Sequence, residues 1–180
     1  MTMAPQDDAK LKELMLFIAD RCENDAFFGS IKLNKVLFWS DMLFYAQHGR
    51  TITGAEYQRL QFGPAPRRVL PVLRELDDSR RGAMRERRTT KGTQKRLVAL
   101  DDADLSLFSG EEIAHVDSIL RALARQTAGQ LSNRTHDDAT WKFARDGETI
   151  NPNAIFISDE SVGKGELAFG LAEAKAQGLV

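Results

Sequence analysis

Lys32-Leu33-Asn34-Lys35-Val36-Leu37-Phe38-Trp39-Ser40-Asp41 is the stretch that decides the fold of this chain. Apolar side chains fall on most sides of the helix that it predicts, and the pattern continues to Tyr45. A helix that is apolar nearly all round is buried, with other elements packed on several of its faces. We therefore place a central helix at 31–47, with Ser30 as its N-cap and Gly49 as its C-cap.

The composition is that of one ordinary globular domain. The 180 residues are 42% hydrophobic and 28% charged, which suffices to bury a core without disulfides. The net charge of -1 gives no overall attraction to DNA or to membranes. No stretch approaches the ~20 apolar residues of a membrane span, and the first eight residues lack the features of a secretion signal. We expect a cytoplasmic protein that does not enter a membrane.

The segments around the central helix predict a mainly α fold (α+β). Apolar spacing and capping signals predict an amphipathic helix at 9–24, a third helix that begins near Pro66, a fourth after 109 and a last one at 130–145. The expected architecture is a cluster of about five helices with a small β-hairpin or short antiparallel sheet.

Three further features complete this organisation. Ser109 and Glu112 form a capping box at the start of the fourth helix. Two polar-apolar runs at 84–89 and 94–100 flank a glycine turn and predict the hairpin. We divide the chain into a helical domain at 9–150 and a C-terminal extension at 151–180, in which 166–177 is a candidate helix.

Metal and thiol chemistry find little support in the sequence. His48, His115 and His136 lack the spacing of a zinc site. Cys22 is the single cysteine and is expected to be a small buried apolar residue. We predict no metal, no cofactor and no catalytic residue.

Asp41 and His136 are the residues that an enzyme could use. A hydrolase would need His136 as a general base oriented by an aspartate, yet no nucleophile motif or phosphate-binding glycine loop accompanies it. The structural interpretation is favoured: Asp41 accepts hydrogen bonds from nearby backbone or from Tyr57, and Thr135 with His136 ties the start of a helix to the core. The hydrolase remains a less favoured alternative.

A basic cluster is the sharpest surface feature, made by Arg80, Arg81, Arg85, Arg87, Arg88, Lys91, Lys95 and Arg96. Basic side chains protect an exposed hairpin from pairing with other chains. They also suit an acidic protein partner, or DNA bound by the wing of a winged-helix domain. Arg67, Arg68 and Arg74 on the third helix extend the cluster. Our candidate partner-binding residues are Arg67, Arg68, Arg74, Arg85 and Arg88.

Several motifs, taken in their order along the chain, resemble those of one family of bacterial interaction domains. The opening run is followed by Gly49-Arg50-Thr51-Ile52-Thr53-Gly54, by Gly63-Pro64-Ala65-Pro66 and by Leu131-Ser132-Asn133-Arg134-Thr135-His136. Over 33–157 the chain resembles the Panacea domain family, which includes SocA-type antitoxins and phage-associated GepA-type proteins. The residues that match the family pattern are Lys32, Leu33, Lys35, Asp41, Gly54, Tyr57, Gly63, Pro64, Thr135, His136 and Trp141.

The resemblance implies a protein without enzymatic activity that neutralises a co-encoded protein toxin. Neutralisation would proceed by direct binding, or through an adaptor role in which the toxin is handed to a cellular protease. The family is paired with many unrelated toxins, so the resemblance does not identify the partner. A winged-helix-like DNA-binding regulator is the alternative function, and nucleic acid is the less favoured partner.

Overall fold

The computed structural model describes residues 7–89, 92–157 and 175. Within 7–157 it contains six α-helices and two antiparallel two-stranded sheets, and this confirms the mainly α prediction. The helices are α1 Asp8–Arg21, α2 Ser30–His48, α3 Val69–Asp78, α4 Gly110–Leu123, α5 Ala128–His136 and α6 Ala139–Lys142. The strands are β1 Tyr57–Gln58, β2 Ala65–Pro66, β3 Gly82–Thr89 and β4 Gly92–Ala99.

The central helix of the prediction is α2. Twelve of its 19 residues are buried, and α1, α4, α5, β2 and β4 all pack against it. Gly49 ends α2 in the left-handed conformation at φ 71°, as a C-cap glycine does. The N-cap prediction was wrong: Gly29 occupies that position and Ser30 is the first residue of the helix.

The first helix is more deeply buried than an amphipathic pattern indicates. Leu16, Phe17 and Ala19 are buried in addition to the predicted apolar face, because α2, α3 and β4 all contact α1. The helix ends at Arg21 instead of near residue 24. Phe28 of the following loop is fully buried.

The predicted hairpin is confirmed as β3 and β4, which pair from Gly82 opposite Ala99 to Thr89 opposite Gly92. The third helix begins later than predicted, at Val69. Pro66 lies in β2 opposite Tyr57, so it serves a strand and not a helix start. Pro71 falls in the first turn of α3, where a missing N–H leaves no helical hydrogen bond unmade.

The helix predicted at 130–145 is two helices. The side chain of Asp138 accepts a 2.8 Å hydrogen bond from the backbone N–H of Thr140 and so caps α6, which breaks the helix after His136. A 3₁₀ helix at Pro152–Phe156 then packs against α2 and α6. The candidate helix at 166–177 lies outside the described residues apart from 175.

In the part of the chain that is described, none of the helices combines the length and the apolar character that crossing a bilayer would require.

The junction between α3 and β3 generates a stability prediction. Arg80 has φ 58°, in the left-handed region that costs a side-chain-bearing residue roughly 1 kcal/mol. Arg80→Gly is therefore expected to raise the free energy of unfolding by about 0.5 kcal/mol, after allowance for the flexibility of glycine in the unfolded chain. Urea unfolding measures this, with Ser79→Gly as the control, since Ser79 is right-handed. A destabilised Arg80→Gly protein would contradict the assignment.

Candidate functional site

Asp41 is fully buried in the middle of α2 and accepts four hydrogen bonds. They come from the backbone N–H of Ile52 at 2.8 Å, the N–H and hydroxyl of Thr53 at 2.9 and 2.5 Å, and the hydroxyl of Tyr57 at 2.8 Å. Burial raises the pKa of the carboxyl group, and the hydrogen bonds from Thr53, Tyr57 and Ile52 act in the opposite direction. As predicted, Asp41 accepts hydrogen bonds from nearby backbone and from Tyr57, and these bonds hold the turn that follows α2.

Lys32 ties α2 to the end of α4. Its amine donates to the carboxylate of Asp25 at 2.7 Å and to the carbonyl oxygens of Ala124 and Gln126 at 3.0 and 3.3 Å. Carbonyl groups at a helix end lack partners within the helix, and a cation there also suits the helix dipole. The amine of Lys32 therefore caps α4 from a neighbouring helix.

Lys35 holds a buried amine in a different setting. Its side chain lies beside Gly63 and Thr135, and among the described residues its amine forms a single hydrogen bond, of 3.4 Å, to the carbonyl oxygen of Pro64. Burial lowers the pKa of Lys35 to about 7. A Cβ atom on Gly63 would lie 2.3 Å from the amine and 2.6 Å from the hydroxyl of Thr135, and Gly63 has φ 96°, so a residue with a side chain would be strained where the loop crosses α2.

Thr135 and His136 end α5 and do not start a helix, which corrects the prediction. The buried hydroxyl of Thr135 donates to backbone carbonyl oxygens of its own helix. The His136 ring stacks on Trp141, with centroids 4.2 Å apart, and the guanidinium of Arg59 lies 3.6 Å from the centroid of the Trp141 ring. His136 is thus part of a stacked structural cluster, and its Nε2 atom has no hydrogen-bond partner among the described residues.

Arg59 is a residue of this cluster that the sequence did not reveal. It donates to the carbonyl oxygen of Ala144 at 2.6 Å and pairs with Asp146 at 3.0 Å. Both partners lie more than 80 positions from Arg59 in the sequence, so no local sequence pattern predicts these contacts.

The described residues contain no group of three or more His, Cys, Asp and Glu side chains placed to hold a metal ion. Burial, followed by the charge of Asp25, raises the pKa of Cys22 to about 11. Its thiol is therefore protonated at neutral pH, which is the unreactive form.

The candidate partner-binding arginines divide into two groups. Arg67 binds within the domain: it donates to Thr149 at 3.0 Å and to the carbonyl oxygen of Gly147 at 2.8 Å. Arg68 pairs with Asp8 at 2.8 Å. These two side chains join α3 to the N- and C-terminal parts of the domain, although both stay partly exposed.

Arg74, Arg85 and Arg88 form the second group. All three are exposed and form no salt bridge with another described residue. Arg87 beside them shares both properties. The outer half of the hairpin therefore presents guanidinium groups that no carboxylate of the described chain neutralises.

These features define a mainly helical domain in which the polar motif residues belong to the scaffold. A family model described as antitoxin SocA-like, Panacea domain, matches residues 33–142. The match spans more than half of the 180 residues, so the chain belongs to this family, as its sequence motifs predicted. No curated protein and no solved structure matches the chain.

The Asp41 site predicts a large effect on stability. Asp41→Ala leaves four donors without their acceptor, and each unsatisfied buried donor costs about 1–3 kcal/mol. We expect the free energy of unfolding to fall by about 3 kcal/mol or more, and Tyr57→Phe to cost about 1 kcal/mol. Chemical denaturation measures both, with the exposed Asp20→Ala as control. Equal stabilities of Asp41→Ala and the wild type would refute the assigned role.

Lys35 predicts a pH dependence of stability. The pKa of this amine is about 7 in the folded chain and 10.5 ordinarily, so between these values the unfolded chain binds a proton that the folded chain does not. Stability should therefore rise with pH through this window. Lys35→Met should remove this component of the rise, as urea unfolding across the window would show. An unchanged pH profile in Lys35→Met would contradict the prediction.

Proposed function

We propose that this chain is an antitoxin that neutralises a co-encoded protein toxin in the cytoplasm by binding it directly. The observation that carries the proposal is the family match over 33–142. The buried motif residues support it as well, because Asp41 and Lys32 bind other segments of the scaffold and Lys35 is buried within it. The partner then binds exposed surface, and no covalent bond is made or broken.

The surface proposed for the toxin is the outer part of the hairpin together with α3. Arg74, Arg85, Arg87 and Arg88 present unneutralised positive charge on a chain whose net charge is -1. Complementary charge accelerates association and excludes wrong partners. We therefore propose an acidic toxin surface as the counterpart. Arg67 and Arg68, which already have partners within the domain, lie at the margin.

Delivery of the toxin to a cellular protease is a second mechanism of neutralisation, and it begins with the same step, the binding of the toxin. An adaptor must bind the toxin before a protease can receive it, so the same surface serves both mechanisms. The two routes differ in the amount of toxin: direct binding leaves its concentration unchanged, whereas delivery lowers it. Toxin half-life in cells with and without this chain separates them.

Co-expression tests the function. Each neighbouring reading frame whose product stops growth is expressed with this chain, and we expect one of them to be neutralised and to co-purify with it. Failure to neutralise any toxic neighbour would reject the antitoxin proposal.

The interface has its own test in the same cells. Arg85→Glu, Arg87→Glu and Arg88→Glu combined should weaken toxin binding by at least about tenfold, because each reversal replaces attraction with repulsion. Arg145→Glu is the matched control: Arg145 is also exposed, and its side chain forms no hydrogen bond or salt bridge with the described residues. Full protection by the triple variant would reject the hairpin surface while leaving the antitoxin function in place.

A further inference from the structure

A cleft of about 530 Å³ lies between the loop that joins α1 to α2 and the second half of α4. This volume falls within the range of ligand-binding clefts, about 300–1,000 Å³. The residues that line it include Cys22 and Phe27 from the loop side and Leu120 and Ala124 from α4. Neither the motif residues nor the hairpin arginines contribute to it.

Positive charge surrounds this cleft in excess. Arg21 and Arg121 share a single carboxylate, that of Asp117, at 3.0 and 3.2 Å. Asp25, the other acidic lining residue, is already paired with Lys32 at 2.7 Å. Arg125 lines the cleft with no hydrogen bond or salt bridge to the described residues. An acidic group entering the cleft would therefore find guanidinium donors that are not fully neutralised.

The same cleft offers apolar contact. Phe27 is 45% exposed, and Leu120 is only partly buried against the core. Because the pKa of Cys22 is raised to about 11, its thiol carries no charge and behaves as a small apolar group. Aromatic residues and Arg, which line this cleft together, are enriched in protein–protein interfaces.

The cleft and the hairpin adjoin the same loop, because the hairpin contacts residues of the loop that lines the cleft. Arg85 and Arg87 lie directly opposite Arg96 and Gln94 in the hairpin and hence on the same face. On that face, Arg96 donates to the carbonyl oxygen of Cys22 at 3.0 Å, and Gln94 contacts that of Ala26 at 3.5 Å. A partner bound to the hairpin can therefore extend across this loop and contact the cleft.

We infer that this cleft binds an acidic segment of the protein partner that carries one apolar anchor side chain. The acidic groups pair with Arg121, Arg125 and Arg21, and the anchor packs against Phe27 and Leu120. The inference rests on the proposed function for the existence of a protein partner. It adds the position and the chemistry of a second contact.

A peptide titration tests the cleft without the toxin. The probe is acetyl-Glu-Asp-Leu-Phe-Glu-amide, added to the full-length ¹⁵N-labelled chain and followed by amide chemical shifts. We expect saturable shifts confined to 21–27 and 117–125. The basic analogue acetyl-Lys-Lys-Leu-Phe-Lys-amide, and an acidic peptide with Gly-Ser in place of Leu-Phe, should each bind at least about tenfold more weakly.

Charge reversal supplies the matched variants. Arg121 and Arg125 are exposed, so the double variant Arg121→Glu, Arg125→Glu should fold, which thermal unfolding checks. The double variant should bind the acidic peptide at least about tenfold more weakly than the wild type does. Arg145→Glu should bind it as the wild type does. Shifts elsewhere, equal binding of the basic peptide, or unchanged binding by a folded double variant would each overturn the inference.

Failure of the cleft and failure of the antitoxin proposal remain distinguishable. If no toxic neighbour is neutralised, the antitoxin proposal is rejected, and the peptide titration still tests whether the cleft binds an acidic segment. If the double variant neutralises and binds the toxin as the wild type does, the cleft inference fails and the function stands.

Discussion

Asp41 accepts three hydrogen bonds from the loop after α2 and one from Tyr57 of β1, and contacts of this kind position the segments that surround α2. Polar side chains on the buried faces of a helix need partners within the protein, because a buried donor or acceptor without one costs about 1–3 kcal/mol. Asp41 is satisfied by the turn around Thr53, and Lys32 by Asp25 and the end of α4. Asp41 and Lys32 thereby fix the positions of two different segments of the chain.

This arrangement separates the scaffold from the surface. Most of the motif residues are buried within the scaffold, so they do not distinguish one partner from another. The unneutralised arginines of the hairpin and of the α4 cleft lie outside this framework, where substitution changes charge without disturbing the core. A domain built in this way can present different binding surfaces on one stable fold.

Local patterns in the sequence predicted much of the fold and of the scaffold site. The apolar run of α2, the capping box of Ser109 and Glu112 and the two paired strands of the hairpin are signals within a few residues, and these predictions were correct. The prediction of one helix at 130–145 was wrong because Asp138 caps a new helix. Helical periodicity alone does not show where one helix ends and the next begins. The anchoring of Arg67 to Gly147 and the cleft between the α1–α2 loop and α4 depend on residues about 80 to 100 positions apart, which no local pattern brings together.

Hydrogen–deuterium exchange of the chain, free and bound to its co-purified toxin, tests the central claim most directly. The account predicts slower exchange on binding in the hairpin, in the loop that joins α1 to α2 and in the second half of α4. It predicts no change in the turn that Asp41 holds, at 51–54, because that turn is scaffold in both states. Slower exchange confined to the buried motif turns and α6, with the hairpin unaffected, would contradict it.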